Sequence, residues 1–302
     1  MNKNWEELEY IRLLGNIVNN GSERSDRTGV GTYGIFGTQL RFSLKNNVVP
    51  VLTTKKIFIR GVVEELLFFL RGETDTKKLE EKGVNIWKGN TTRDFLDSRG
   101  LQDLPEGDMG KGYGYEWRNF GGKITSNKYD NNRPPPTNRY AEGVDQLQQV
   151  INTLKTNPTD RRIIISAWNP KDLPEAALPP CHIMVQFYAN KNQLSSQFYM
   201  RSTDSFLGLP YNILSYAILT RIIAQTVGME AQELIFVGGD VHIYKNHLGA
   251  TMQQLTREPF DFPTMTIDKQ LSSVQDIENL QFSDFKFENY QCHPAIKAEM
   301  CI

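Results

Sequence analysis

From Pro210 to Gly228 the chain reads PYNILSYAILTRIIAQTVG, a helical stretch whose apolar residues cover most of its circumference. A helix of that kind has no face to leave in water, so it must be packed on several sides and the fold must be built in layers around it. Pro210 suits the first turn, where its missing N–H costs nothing, and Gly228 closes the pattern. Arg221 and Gln225 interrupt the run from Ile213 to Val227, which makes it a core helix and not a membrane span. With 302 residues and 39% apolar composition the chain can bury such a core.

The formal charge is −1, with acids and bases mixed along the chain, which excludes a general nucleic-acid binder that would need a basic face. Cys181, Cys292 and Cys301 are far apart and show no CxxC spacing, so neither a disulfide framework nor a zinc site is expected. The N-terminal MNKNWEELEY lacks a basic-then-apolar export pattern, and a cytoplasmic, membrane-free location is expected.

Leu8, Ile11, Leu14 and Val18 predict a first helix ended at Gly21, followed by a polar loop, SERSDRTG. TYGIFGTQLRFSL and VVPVLTT read as strands, and GVVEELLFFLRG as a buried helix closed by Gly72, with Glu64 and Glu65 inside it. GVGTYG, at Gly29 to Gly34, matches a dinucleotide fingerprint in letters only, because a polar loop precedes it and a strand follows. Residues 126–140, rich in Asn and Pro, are expected to form a loop insertion in one domain spanning 1–302. An amphipathic helix then ends at Asn157-Pro158, RRIIISAW is a buried strand, and two strands pair around Asn190-Lys191-Asn192. That hairpin makes neighbours of Cys181 and Arg201. ELIFVGGDVHIY is a further strand.

The chemistry gathers at these joints. A cysteine is ordinarily a small buried hydrophobe, but Cys181 follows two prolines and lies near arginines expected to lower its pKa and favour thiolate. Arg27, Arg161, Arg162 and Arg201 sit at loop or strand entrances, where guanidinium forks could converge on a phosphate monoester. Glu65 lies among apolar residues. His242 and Tyr244 share a strand face by two-residue alternation and could hold a sugar hydroxyl. Cys181 and His182, being adjacent on a strand, point to opposite faces, which is poor geometry for a thiolate–imidazolium hydrolase.

Taken together and in order, DRTGVGT, EELLFFLRG, YGYEWRNFGG, DRRIIISAWNP, LPPCH, RSTDSFLGLPYN, GDVHIYKNH and HPAIKAEMCI resemble the thymidylate synthase family over nearly the whole chain. The resemblance implies an α+β fold, a large mixed sheet flanked by helices, with the sheet face forming a homodimer interface. It implies reductive methylation of dUMP to dTMP by the co-substrate 5,10-methylenetetrahydrofolate, a reduced folate, giving dihydrofolate without a metal. By that resemblance Cys181 attacks carbon 6 of the pyrimidine, Glu65 manages protons through water, Tyr113 serves removal of the carbon 5 proton, and His182 orders the surroundings. Arg27, Arg201 and Ser202, with Arg161 and Arg162 crossing from the partner, would grip the phosphate. Asn212 would read the base, and His242 and Tyr244 the ribose. Ile86, Trp87, Asn90, Asp204, Leu207, Gly208 and Tyr211 would meet the folate, Lys55 its glutamate tail, and Ile302 would close the site.

Three positions depart from the family pattern. Lys111 stands where a proline is common, which predicts a more mobile Tyr113 loop; Phe68 replaces a tryptophan; and Cys301 replaces an alanine, exposing the tail to oxidation. Two other readings compete: a deoxycytidylate hydroxymethylase-like enzyme, disfavoured by the amide at Asn212, and a catalytically silent nucleotide binder, disfavoured by the retention of Cys181, Glu65 and Tyr113.

Overall fold

In a computed structural model, residues 3–123 and 143–301 are described. The expected insertion at 126–140 and the terminal Ile302 lie outside them. Nine helices are assigned among the described residues: α1 (Trp5–Asn20), α2 (Ile59–Leu70), α3 (Lys77–Glu80), α4 (Arg93–Ser98), α5 (Tyr113–Asn119), α6 (Gln146–Thr156), α7 (Gly208–Thr226), α8 (Leu248–Leu255) and α9 (Val274–Glu278). The strands are β1 (Ser22–Arg24), β2 (Thr32–Ser43), β3 (Ile164–Ser166), β4 (His182–Asn190), β5 (Gln193–Asp204), β6 (Glu230–Tyr244), β7 (Thr264–Ile267) and β8 (Phe285–Glu288). Six strands form one sheet in the order β1-β2-β6-β5-β4-β3, and β7 pairs with β8 in a second.

The large sheet is mixed and the class is α+β. β5 and β6 run parallel while the other neighbours are antiparallel. A parallel pair needs a crossover, and α7 supplies it. Ile213, Leu214, Ala217, Ile218, Ile222 and Ile223 are all fully covered, so the helix is enclosed as its composition requires. It packs on β5, β6 and α2. The β4–β5 hairpin turns at Lys191-Asn192, with Asn190 opposite Gln193 and Lys191 at a φ of 55°. Consequently the backbone N–H of Arg201 donates to the Cys181 carbonyl at 2.9 Å.

Two local expectations are corrected. The polar stretch after α1 contains a short edge strand, Ser22–Arg24, paired with Thr32–Gly34. VVPVLTT forms no strand beyond one bridge between Val48 and Thr264. Pro50 has no N–H to give a ladder, and the N–H groups of Thr53 and Thr54 are taken by the buried Glu7 carboxylate at 2.8 Å and 2.7 Å. The rejected dinucleotide fingerprint leads into β2, not into a helix. Gly31 there has a φ of +78°, which a side-chain-bearing residue would adopt only with strain.

Candidate active site

Cys181, immediately before β4, is met by a residue from a different layer. Its backbone N–H donates to the Tyr113 hydroxyl at 2.7 Å, and Tyr113 is the first residue of α5. The Tyr113 ring stacks on His182 with centroids 3.8 Å apart and planes within 8°. The two adjacent residues therefore reach the same tyrosine at different places, Cys181 at its hydroxyl and His182 at its ring. His182 turns its Nδ1 to the Tyr216 hydroxyl at 2.7 Å, one helical turn beyond Asn212 on α7. Burial lowers the His182 pKa to about 3, so the ring is neutral and cannot serve as an imidazolium partner for the thiol.

α2 closes the cluster. Glu65 Oε1 accepts from Trp87 Nε1 at 2.7 Å, and burial raises the carboxyl to about 7 against the lowering effect of that bond. Phe69, one turn on, has its centroid 5.0 Å from Tyr113, 6.3 Å from Trp87 and 6.4 Å from His182. An acid poised near neutrality and a cysteine thus border the same aromatic cluster, an arrangement that suits proton transfer near pH 7.

Arg201 shapes the nucleophile's backbone. Its Nε donates to the Pro180 carbonyl at 2.7 Å and Nη2 to that of Pro179 at 2.9 Å, leaving Nη2 3.8 Å from Cys181 Sγ. The expected lowering of the Cys181 pKa is not what results. Burial raises it, outweighing the opposing pull of Arg201, Arg27 and Tyr113. Arg27 is exposed, in a turn where Asp26 carboxylate oxygens accept from the Thr28 and Gly31 N–H groups at 2.9 Å and 2.7 Å. Arg161 is exposed, and Arg162, with an 87% exposed side chain, pairs with Asp160 at 2.7 Å. Neither bears on the Cys181 thiol within this protomer.

On β6, His242 and Tyr244 present rings 5.3 Å apart, with His242 Nδ1 3.0 Å from Asp240 Oδ1. Asp240 was not anticipated; it pairs in register with Ser202 of β5 and binds Arg24. Asp204 accepts from the N–H groups of Phe206 and Leu207 at 2.9 Å and 3.0 Å, fixing the entrance to α7. Gly208, Tyr211 and Asn212 follow there, half-buried. Ile86 and Trp87 are also half-buried, and the 6% exposed Asn90 has an Nδ2 with no partner.

Lys55 is 3% exposed, donates to the Phe206 carbonyl, lies 3.7 Å over the Phe206 ring, and is lowered by burial to about 7, against the raising effect of Asp204. Its neighbour Lys56 is the exposed one. The tail at Cys301 packs beside Asn246, with Sγ 3.6 Å from Oδ1, and Glu299 O meets His247 Nε2 at 2.6 Å. Among the described residues no group of His, Cys, Asp and Glu could hold a metal, and no helix is long and apolar enough to cross a membrane. A cavity of about 720 Å³ lined by Asn46, Asn47, Arg221, Met229 and Met265 shares no residue with this cluster.

Sequence reasoning missed Tyr216 and Phe69. Helical spacing offered the signal for both: Tyr216 lies four residues after Asn212 and Phe69 four after Glu65, hence on the same faces.

Comparison with known proteins gives the family. The chain is 47% identical over 310 residues to thymidylate synthase of Saccharomyces cerevisiae, covering 99% of this chain and 98% of that protein. It is 48% identical over 296 residues to thymidylate synthase of Homo sapiens, covering 98% of this chain and 91% of that one. A probable thymidylate synthase of Schizosaccharomyces pombe is 49% identical over 308 residues, 99% of this chain, which spans about half (48%) of that longer protein. The thymidylate synthase family model matches residues 8–302, and the chain belongs to that family.

Proposed function

We propose that this enzyme converts dUMP to dTMP with 5,10-methylenetetrahydrofolate, through a covalent bond between Cys181 and carbon 6 of the pyrimidine. The observation that carries the reading is the clustering of Cys181, Tyr113, Glu65 and Trp87 around shared aromatic rings, in a chain matched to the family over residues 8–302.

Arg27, Arg201 and Ser202 receive the phosphate, and Arg161 and Arg162 complete its seat from a second copy of the chain. Tyr188 and Ile164 on neighbouring strands, 67% and 38% exposed, and Phe36 at 88% give the sheet an apolar surface suited to that pairing. Asn212 hydrogen-bonds the uracil edge while His242 and Tyr244 hold the ribose hydroxyl. As the Cys181 thiol loses its proton and attacks, the Arg201 guanidinium, 3.8 Å from the sulfur, is placed to stabilise the thiolate. Electron density moves to the 4-carbonyl, where Glu65, held at about 7, can give or take a proton through water. The Tyr113 hydroxyl serves removal of the carbon 5 proton, and neutral His182 holds the phenol's ring in place by stacking. Ile86, Trp87, Asn90, Asp204, Leu207, Gly208 and Tyr211 would hold the folate, which when bound supplies both the one-carbon unit and the hydride. The tail beyond Glu299 closes the site and excludes water.

The test follows dihydrofolate absorbance with dUMP and methylenetetrahydrofolate, with Cys181→Ser and dCMP in parallel. Turnover that requires dUMP and falls at least about a thousandfold in Cys181→Ser is expected. Folded protein that binds dUMP without turnover, or that prefers dCMP, would overturn the reading.

A further inference from the structure

We propose that Lys111 is a positioning residue for this reaction: its ammonium, clamped between two carboxylates of the 172–175 segment, locks the loop carrying Tyr113 onto the stretch that leads to Cys181. The inference rests on Tyr113 acting at the carbon 5 proton, as read above.

Lys111 is 7% exposed, an unusual depth for a lysine next to two glycines. Its Nζ lies 2.8 Å from Asp172 Oδ1 and 3.1 Å from Glu175 Oε1. Asp172 is itself held by Asn169 Nδ2 at 2.6 Å. The backbones are joined at the same place. Lys111 N donates to the Glu175 carbonyl at 3.0 Å, and Ala177 N to the Met109 carbonyl at 3.1 Å. Gly110, at a φ of +66°, comes so near that a Cβ there would stand 2.1 Å from the Glu175 carbonyl oxygen. Only a glycine permits this contact.

The clamp sits between the two groups whose relation matters. Tyr113 is two residues after Lys111 at the start of α5, where Gly112 provides no side-chain cap. Cys181 is six residues after Glu175 in the sequence, and its N–H meets the Tyr113 hydroxyl at 2.7 Å. A buried ion pair adds little net stability, because desolvation cancels most of the attraction, whereas it fixes geometry well. The groups facing the ammonium are Asp172, Glu175, Glu116 and the Tyr115 ring, whose centroid is 5.8 Å away. Glu116 is raised to about 8 by burial and by the charge of Asp172, against the lowering effect of Lys111. The position where a stiff proline is common is thus immobilised by charge instead. This clamp would oppose the looseness expected of the Tyr113 loop.

The decisive variant is Lys111→Met with Asp172→Asn, which removes both charges and nearly keeps the shape, so no buried carboxylate is stranded. Lys111→Arg is the conservative control. Thermal melting, dUMP affinity, kcat and release of tritium from [5-³H]dUMP are measured on the wild-type and variant enzymes. The double variant is expected to melt normally and bind dUMP within about twofold, while kcat and tritium release fall about tenfold; Lys111→Arg retains both. Wild-type kcat in the double variant, or a loss of kcat matched by a loss of melting temperature and affinity, would overturn the positioning role. If the wild-type enzyme itself fails to turn over dUMP, it is the assigned reaction that falls.

Discussion

Two groups of residues in this chain are built on opposite principles. Tyr113, His182 and Phe69 are buried with their rings in contact, and the half-buried Glu65 is bonded to Trp87, so their geometry is set before any ligand arrives. Around Arg27, Arg161 and Arg162 the side chains are exposed, and Arg162 is occupied by Asp160 of its own chain. Burial costs neutral aromatic groups little and a guanidinium much. The contrast teaches that groups near Cys181 are ordered by contacts within this chain, whereas the exposed guanidiniums are left in solvent or paired locally.

Arg201 belongs to both groups, and removing it tests the division most severely. Arg201→Ala takes away the bonds to the Pro179 and Pro180 carbonyls as well as the cation nearest the thiol. A loss of about 3 kcal/mol in chemical denaturation is expected from two charge-assisted bonds, together with a fall of about a thousandfold in kcat/KM. Arg162→Ala separates the groups. With its guanidinium 87% exposed, the chain's melting temperature should hold while KM for dUMP rises about tenfold, because only the anion seat is touched. An unchanged KM in a dimeric variant would show that the seat is complete within one chain.

The smallest effect probes the buried group through pH. His182 is held near 3 when folded against an ordinary 6.5, so below 6.5 the unfolded chain binds a proton that the folded one refuses. Stability contributed by this group is intact above pH 6.5 and falls as pH drops toward 3. Urea melts at pH 7 and pH 5 should show a fall in the wild type that is smaller in His182→Gln; equal falls would mean that the ring is not dry.

What was legible in the sequence is local in origin. The hairpin that makes neighbours of Cys181 and Arg201 follows from two strand patterns around one turn, and the enclosed α7 from its composition. What was not legible depends on partners remote in sequence. VVPVLTT has a strand's composition, yet Glu7, 46 residues away, takes the Thr53 N–H. Lys55 and Lys56 are indistinguishable as letters, and only the position of Phe206 decides which is buried. The sign of the Cys181 shift required knowing that burial would outweigh two arginines. Tyr113 and Glu65 were legible through the family resemblance, but the bond from Cys181 to one and from Trp87 to the other was not.

That last bond gives the molecule an optical property. An indole whose N–H lies 2.7 Å from a carboxyl poised at about 7 feels a full unit of charge appear and vanish across neutral pH. The emission of Trp87 is expected to shift with the ionisation of Glu65, so that a ligand that perturbs Glu65 should be visible in unlabelled enzyme before any product forms.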